Sequence, residues 1–359
     1  MENLVKMNKK FWKNKKVFIT GHTGFKGAWL SIWLHILGAK VKGYSLEPNT
    51  EPSLFKCVQN SINIESEIGD IRNIDNLQKS ILSFNPELII HMAAQPLVRH
   101  SYKNPIETYE VNVIGTANIL EASRNCDSLK AILNVTTDKC YHNKEIDYAY
   151  KEFDALGGYD PYSSSKAASE LVTSSYRNSY FNNIKIGLAS ARAGNVIGGG
   201  DWSEDRLVPD IFKSIKTGRP LLIRNPSSIR PWQHVLEPLA GYLTLLEALY
   251  NDPLNFNEAW NFGPEEKDSK TVKWIVNKII NSYPDSNWSV DKDNHPHEAN
   301  SLKLDISKAK NNLSWKPRWN LEHTIEKIIE WHKAYDKNED ILSVCSKQIE
   351  QFSKDCSFS

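Results

Sequence analysis

Three things are scarce in this chain of 359 residues, and each scarcity narrows what it can be. Cysteine is sparse and scattered: Cys57, Cys126, Cys140, Cys345 and Cys356 form no CxxC pair and no metal-knuckle spacing. Such an odd, dispersed set fits a reducing compartment, not a disulfide-stapled secreted domain. Excess charge is missing too. With 44 Lys and Arg against 43 Asp and Glu, the net charge is +1, without the basic footprint of a nucleic-acid binder. No apolar run approaches the ~18 residues of a membrane span. The basic start MENLVKMNKKFWKNKK has no apolar stretch behind it to make a secretory signal. Internal repeats and low-complexity blocks are also lacking. A cytoplasmic protein with neither nucleic acid nor membrane as partner is expected. The tryptophans and tyrosines are dispersed, as packing residues are.

What is present is alternation. VFIT, a β-rich run, gives way to the turn TGHTGFKG and the apolar-faced helical stretch AWLSIWLHILG, and KVKGYS reads as a second strand: one βαβ unit. NLQKSILSFN, ELIIHMAA, VNVIGTANILEASRN, AILNVTT, SSSKAASELVTSSYRNSY and IKIGLASARAG continue as helix, strand, helix, strand, helix and strand. Nearly all-apolar strands alternating with helices specify an α/β fold of the Rossmann type, a doubly wound parallel sheet covered on both faces. The pattern loosens after Asn195, where GGGDW and RNPSSIRPWQHV are rich in turn residues. We expect a nucleotide-binding domain over 13–195, joined by returning segments near 236–260 and 314–335. A smaller, discontinuous substrate-binding lobe is expected from 196–235 and 261–313, and a loosely docked polar tail over 336–359.

In TGHTGFKG, Gly21, Gly24 and Gly27 follow a strand and open a helix. Glycine there permits a tight turn and close approach of the main chain to a pyrophosphate, and the helix N-terminus offers free N–H groups to the anion. A dinucleotide cofactor is expected on that context, held by Gly21, Thr23, Gly24, Phe25, Lys26 and Gly27. Glu47 is the one acid near the end of the second strand, where a carboxylate would bond a ribose 2′-hydroxyl and select NAD; it reads equally as an exposed loop residue. No arginine stands in that turn to hold a 2′-phosphate, although Lys42 is near, so NAD is favoured over NADP. Asp70, in GDIRN, is expected to meet the adenine amine.

Tyr162 and Lys166, in YSSSK, are four residues apart and so share a helix face. An ammonium beside a phenol favours phenolate, making the tyrosine an acid–base near neutral pH. TTDKCY adds a hydroxyl, a carboxyl and a second amine at the end of the preceding strand: Thr137, Asp138 and Lys139.

With these motifs the chain resembles the extended short-chain dehydrogenases/reductases, and among them the sugar-nucleotide 4,6-dehydratases, from Val17 to about Trp319. The matching stretches are TGHTGFKG, GDIRN, HMAAQPLVRHSY, VNVIGT, TTDKCY, YSSSK, RAGNVIGGGDW and RPWQHV. The pattern is most similar to the branch that acts on CDP-glucose. The resemblance implies an NAD-dependent hydro-lyase. It oxidises the sugar at C4, eliminates water across C5 and C6 and returns the hydride to C6, leaving a 4-keto-6-deoxy sugar for surface polysaccharide. It implies that Tyr162 takes the O4 proton, Thr137 bonds O4, Lys166 holds the nicotinamide ribose and Asp138 helps water depart. It adds Ile71, Ala93, Ala94, Gln95, Asn112 and Arg192 to the cofactor contacts and places Asn195 on the substrate diphosphate. It also implies a homodimer or higher homo-oligomer.

Two departures matter. Where dTDP-glucose enzymes carry a glutamate as the C5 base, this chain has Lys139, as the CDP-glucose branch does; the base is then Lys139 or another group. His22 follows the first glycine, where many relatives have glycine or alanine, and either crowds the pyrophosphate or points harmlessly away. Arg206 in SEDRLVPDI and Arg230 in RPWQHV are candidate clamps on the diphosphate, because a guanidinium binds phosphate oxygens in a fork; a surface ion pair is the alternative. HPHEA, residues 295–299, has the composition of a metal site. Two histidines and a glutamate in a loop are more often structural, and this chemistry needs no metal, so none is expected. The rivals are an epimerase of the same fold, against which Asp138 argues, a dehydratase of another nucleotide, and a non-catalytic dinucleotide sensor. Intact Thr137, Tyr162 and Lys166 argue against the last.

Overall fold

The computed structural model describes residues 8–293 and 302–355. Its strands β1 (Lys16–Thr20), β2 (Lys40–Ser45), β3 (Ile64–Ile68), β4 (Leu88–His91), β5 (Ala131–Val135), β6 (Gly187–Arg192) and β7 (Ala259–Asn261) form a seven-stranded sheet. The order is β7-β6-β5-β4-β1-β2-β3, and every neighbouring pair is parallel. Strands covered on both faces need apolar residues at successive positions. Val17 and Ile19 of β1 accordingly join one core with Leu88, Ile90, Leu133 and Ala189, while Phe18 joins the opposite core with Ile89, Ile132 and Leu188.

The longer helices are α1 (Phe25–Leu37), α2 (Ile74–Phe84), α3 (Gly115–Ser123), α4 (Pro161–Tyr176), α5 (Leu207–Thr217), α6 (Leu236–Asn251), α7 (Val272–Ile280), α8 (Leu321–Asp336) and α9 (Ile341–Lys354). The chain lays β2 and β3 on one side of β1, then returns to lay β4 to β7 on the other. The carboxyl ends of β1 and β4 therefore open into a crevice, where doubly wound sheets bind ligands. A separate apolar cluster joins Val208 and Ile211 of α5, Leu221, Ile223, Ile275 and Val276 of α7, and Ile325 and Ile328 of α8. Val208, Leu221 and Ile223 form the far wall of the crevice.

Within the tail expected to be loose, 336–359, residues 341–354 form the docked helix α9 instead. Ile341, Val344, Cys345, Ile349 and Phe352 recur at helical spacing and are all buried, so a segment polar in bulk presents one apolar stripe. Asp340 caps the helix, accepting from the Ser343 N–H at 3.3 Å. The Phe352 ring is fully buried, edge-on to Trp33 of α1 at 5.8 Å and to Trp319 at 5.1 Å. Burying such a ring is worth roughly 1.5–3 kcal/mol, which fastens the segment to the core. Trp12, Trp29, Trp33, Trp260 and Trp331 are fully buried packing residues. No helix among the described residues is long and apolar enough to cross a membrane.

Candidate active site

β1 ends at Thr20 and the chain turns at once into α1. Gly21 makes the turn at φ +79°, and a Cβ on it would lie 2.7 Å from the Ala93 nitrogen. A Cβ on Gly27 would lie 2.0 Å from the Gly21 carbonyl oxygen, so the helix can start this close to the strand end only with glycine there. Gly24 is the N-cap and supplies no side-chain bond. The first N–H groups of α1 thus lack an acceptor within the helix, and Phe25 and Lys26 beside them line the crevice. Thr23 fixes the turn to the end of β2, donating to the Leu46 carbonyl at 2.8 Å and meeting the Ser45 hydroxyl at 2.9 Å. Such a cradle fits a dinucleotide diphosphate.

Of the two readings of His22, the structure selects the ring turned away. It is fully buried, edge-on to Phe55 at 4.9 Å, with Nε2 2.7 Å from the Ser66 hydroxyl. It fills the space over Gly43, where a Cβ would fall 2.2 Å from the ring. Burial lowers its pKa to about 4. Glu47 lies exposed, beyond the end of β2. Lys42 is taken by Glu65 at 2.7 Å and Glu67 at 2.9 Å. Asp70 follows β3 and is gripped by Arg72 at 2.6 Å, a hydrogen-bonded pair that holds its carboxyl below the usual range. Ile71 is buried against Gly115.

Three of the residues expected on the cofactor have their side chains engaged inside the protein. Asn112, in a π-helical turn (Glu110–Ile114), accepts from the Gln95 N–H at 2.9 Å and donates to the Gln95 carbonyl at 3.0 Å and the Ser165 hydroxyl at 2.9 Å. The Gln95 amide donates to Thr108 at 2.9 Å and accepts from the Leu97 N–H at 2.6 Å. Together they lock the loop behind β4, with Ala93 and Ala94, to α4. Arg192 is buried beneath the crevice, paired with Glu170 at 2.8 Å and donating to the Tyr141 phenol at 2.8 Å and the Glu152 carbonyl at 3.0 Å.

The reactive groups meet where β5 ends. Beyond Val135 the chain turns through Thr136 and Thr137 into a 3-10 turn, Asp138–Cys140. α4 stands opposite. Asp160 caps it, accepting from the Ser163 N–H at 2.9 Å, and Pro161 takes its first position. Tyr162 then lies in the first turn and Lys166 one turn on. The Thr137 hydroxyl lies beside the Tyr162 phenol and donates to Asp138 Oδ1 at 3.0 Å. Asn195, at φ +50°, donates its amide to Asp138 Oδ2 at 3.2 Å. Asp138 is fully buried against Gly194, where a Cβ would fall 1.8 Å from the carboxylate. Lys139 is half-buried and lines the crevice.

Lys166, expected to favour the Tyr162 phenolate, makes no hydrogen bond to the phenol. Lys166 donates instead to the Val135 carbonyl at 3.3 Å, and burial lowers its own pKa to about 8 against the pull of Glu170. Burial pushes Tyr162 up to about 12; the neighbouring Thr137 hydroxyl opposes this and the Asp138 charge adds to it.

Thr137, Asp138, Lys139, Tyr162 and Asn195 line one cavity of about 740 Å³. On its far side Arg206, just before α5, donates to Asp201 at 3.0 Å, and Arg230 lies on a short strand, Ile229–Pro231. Arg99 and Arg224 line it as well, 3.2 and 3.6 Å from Asp205. Sequence reasoning passes over both, although they stand in the stretches PLVRHSY and RNPSSIRPW. An arginine beside a turn carries no sign of its direction. His295, His297 and Glu298 lie outside the described residues.

The sequence profile of the family described as GDP-mannose 4,6 dehydratase matches residues 18–328. The chain belongs to that family. Within the 4,6-dehydratases it is 54% identical over 348 residues to the CDP-glucose 4,6-dehydratase of Salmonella typhimurium, a match covering 95% of this chain and 97% of that one. It is 24% identical over 339 residues to the dTDP-glucose 4,6-dehydratase of Haemophilus influenzae, covering 88% and 97%. The crystal structure of dTDP-glucose 4,6-dehydratase from Bacillus anthracis in complex with NAD superposes with a TM-score of 0.73 at 21% identity, over 91% of this chain and 99% of that one. The family match and the shared parallel sheet bear out the resemblance to extended short-chain dehydrogenases/reductases and the Rossmann-type α/β class.

Proposed function

We propose that the protein is an NAD-dependent CDP-glucose 4,6-dehydratase, a hydro-lyase converting CDP-D-glucose to CDP-4-keto-6-deoxy-D-glucose and water. The observation that carries this reading is the buried Thr137–Asp138–Tyr162 cluster beside the glycine cradle, in a chain 54% identical to a CDP-glucose 4,6-dehydratase over 95% of its length. The turn Gly21, Gly24 and Gly27 would hold the NAD diphosphate and Lys166 the nicotinamide ribose. When bound, the cofactor supplies the acceptor for the C4 hydride and its donor to C6.

The chain does the proton work. Tyr162 takes the proton from O4, and Thr137, which touches both Tyr162 and Asp138, orients that oxygen. Asp138, held by Asn195 in a pocket closed by Gly194, protonates the departing C6 hydroxyl. We assign the C5 proton to Lys139. Arg206, Arg230 and Asn195 bind the diphosphate, joined by Arg99 and Arg224. In this reading 13–195, with 236–260 and 314–335, form the cofactor domain, and 196–235 and 261–313 the substrate lobe. Ile106, Ile114 and Leu171 are 70%, 53% and 61% exposed on adjoining helical segments, a face that suits pairing of two copies. The compartment is the cytoplasm.

Turnover with CDP-, dTDP-, UDP- and GDP-sugars tests the assignment. A 4-keto product from CDP-glucose without net NADH is expected. Stoichiometric NADH from CDP-glucose would make the protein a simple dehydrogenase, and faster turnover of another nucleotide would move the substrate.

A further inference from the structure

The dehydratase chemistry leaves the Lys26 side chain without a task. It stands in the first turn of α1 and enters the crevice beside Asp138 and Tyr162. Its amine has no hydrogen bond or ion pair among the described residues. Nζ lies 5.9 Å from the centre of the Tyr242 ring of α6, whose buried phenol is likewise unpartnered. The charges that act on it are Lys166 of α4 and Arg206 ahead of α5, which repel it, and Asp138, which attracts it. Tyr162 of α4 and Tyr242 are the other titratable groups facing it. A cation beside two others, with no hydrogen-bonded or ion-paired partner among the described residues, needs a reason to be there.

Position supplies one. Tyr162 receives the O4 proton, so the acceptor of the C4 hydride has to lie beside Tyr162, at the end of the crevice that Lys26 shares. We propose that Lys26 sets the hydride affinity of the cofactor: an ammonium at the nicotinamide end disfavours NAD⁺, whose ring is charged, relative to NADH, whose ring is not. Charged, Lys26 favours withdrawal of hydride from C4; neutral, it favours return to C6. Burial first, then Lys166 and Arg206, lower its pKa to about 7, so both forms are present near neutrality. The inference rests on the proposed NAD-dependent reading.

The test is a pair of titrations of cofactor-free protein, calorimetric for NAD⁺ and fluorimetric for NADH, at about pH 6 and about pH 9. At the lower pH, Lys26→Met should shift the ratio of the two dissociation constants towards NAD⁺ by roughly tenfold, as expected for removing a like charge at close range. At the higher pH the difference from wild type should shrink to within about twofold, because the wild-type amine is already neutral there. Lys166 is present in both proteins, so the difference isolates Lys26. Lys26→Arg should keep the wild-type ratio at the lower pH and extend it to the higher one. An unchanged ratio in Lys26→Met at the lower pH, or equal shifts of both constants, overturns the proposal in favour of a packing role. Should the methionine variant bind neither cofactor, the arginine variant decides: equality with wild type at the higher pH is then the overturning result. No sugar enters these titrations, so their failure leaves the CDP-glucose assay to judge the dehydratase reading by itself.

Discussion

On one wall of the crevice, a Cβ added to Gly21 or Gly27 would come within 2.7 and 2.0 Å of main-chain atoms; on the other, Arg206 leans on Asp201, and Arg99 and Arg224 share Asp205. The first wall is built from backbone, with buried side chains such as Asn112 and Gln95 spent on holding it. The second is built from long side chains steadied by carboxylates. A wall of main chain tolerates no change of residue where the ligand touches it. A wall of arginines can be re-aimed by moving one aspartate. In the proposed reading, nucleotide choice can therefore vary while the cofactor cradle stays as it is.

The groups where the walls meet give the largest expected effect. Asp138→Asn should leave C4 oxidation intact and slow water loss by roughly 10²–10⁴-fold, the usual worth of a positioned acid. Transient NADH absorbance in stopped flow reads this directly, and a normal dehydration rate would place the acid elsewhere. Next comes the rigid wall. Gly21→Ala forces a left-handed conformation on alanine and a collision with Ala93, and NAD affinity should fall by roughly ten- to a hundredfold in calorimetry. An unaffected constant would mean the turn is softer than its contacts. On the adjustable wall, Arg206→Met should raise KM for CDP-glucose about tenfold, with NAD binding unchanged, as expected for losing one charged hydrogen bond. Loss of NAD affinity there would erase the distinction between the walls. The smallest effect is at His22. His22→Gly should alter NAD affinity by less than about twofold while lowering Tm, since it removes a buried ring. Markedly tighter NAD binding would restore the crowding reading.

The parallel sheet was legible because its strands are short apolar runs and its helices repeat at 3.6 residues, both local signals. The Thr137, Asp138 and Tyr162 cluster was legible for the same reason: each motif sits beside its own strand end or helix start. Direction was not. Arg192 is claimed by Glu170, 22 positions back, and Asn112 by Ser165, 53 positions on, and no spacing announces such partners. Lys26 was read through its backbone alone, because a glycine-rich turn directs attention to the N–H groups. α9 escaped because its five apolar residues are diluted among polar ones; the stripe exists only once the helix is wound.

That helix also imposes an order in time. α9 packs on α1, and Phe352 leaves the ribosome more than three hundred residues after Trp33, the ring it covers. Helix α1, synthesised early, keeps part of its tryptophan-rich face bare through most of translation. A nascent chain paused before residue 341 would display that face to chaperones, and the rear support of the glycine turn is completed only when α9 emerges.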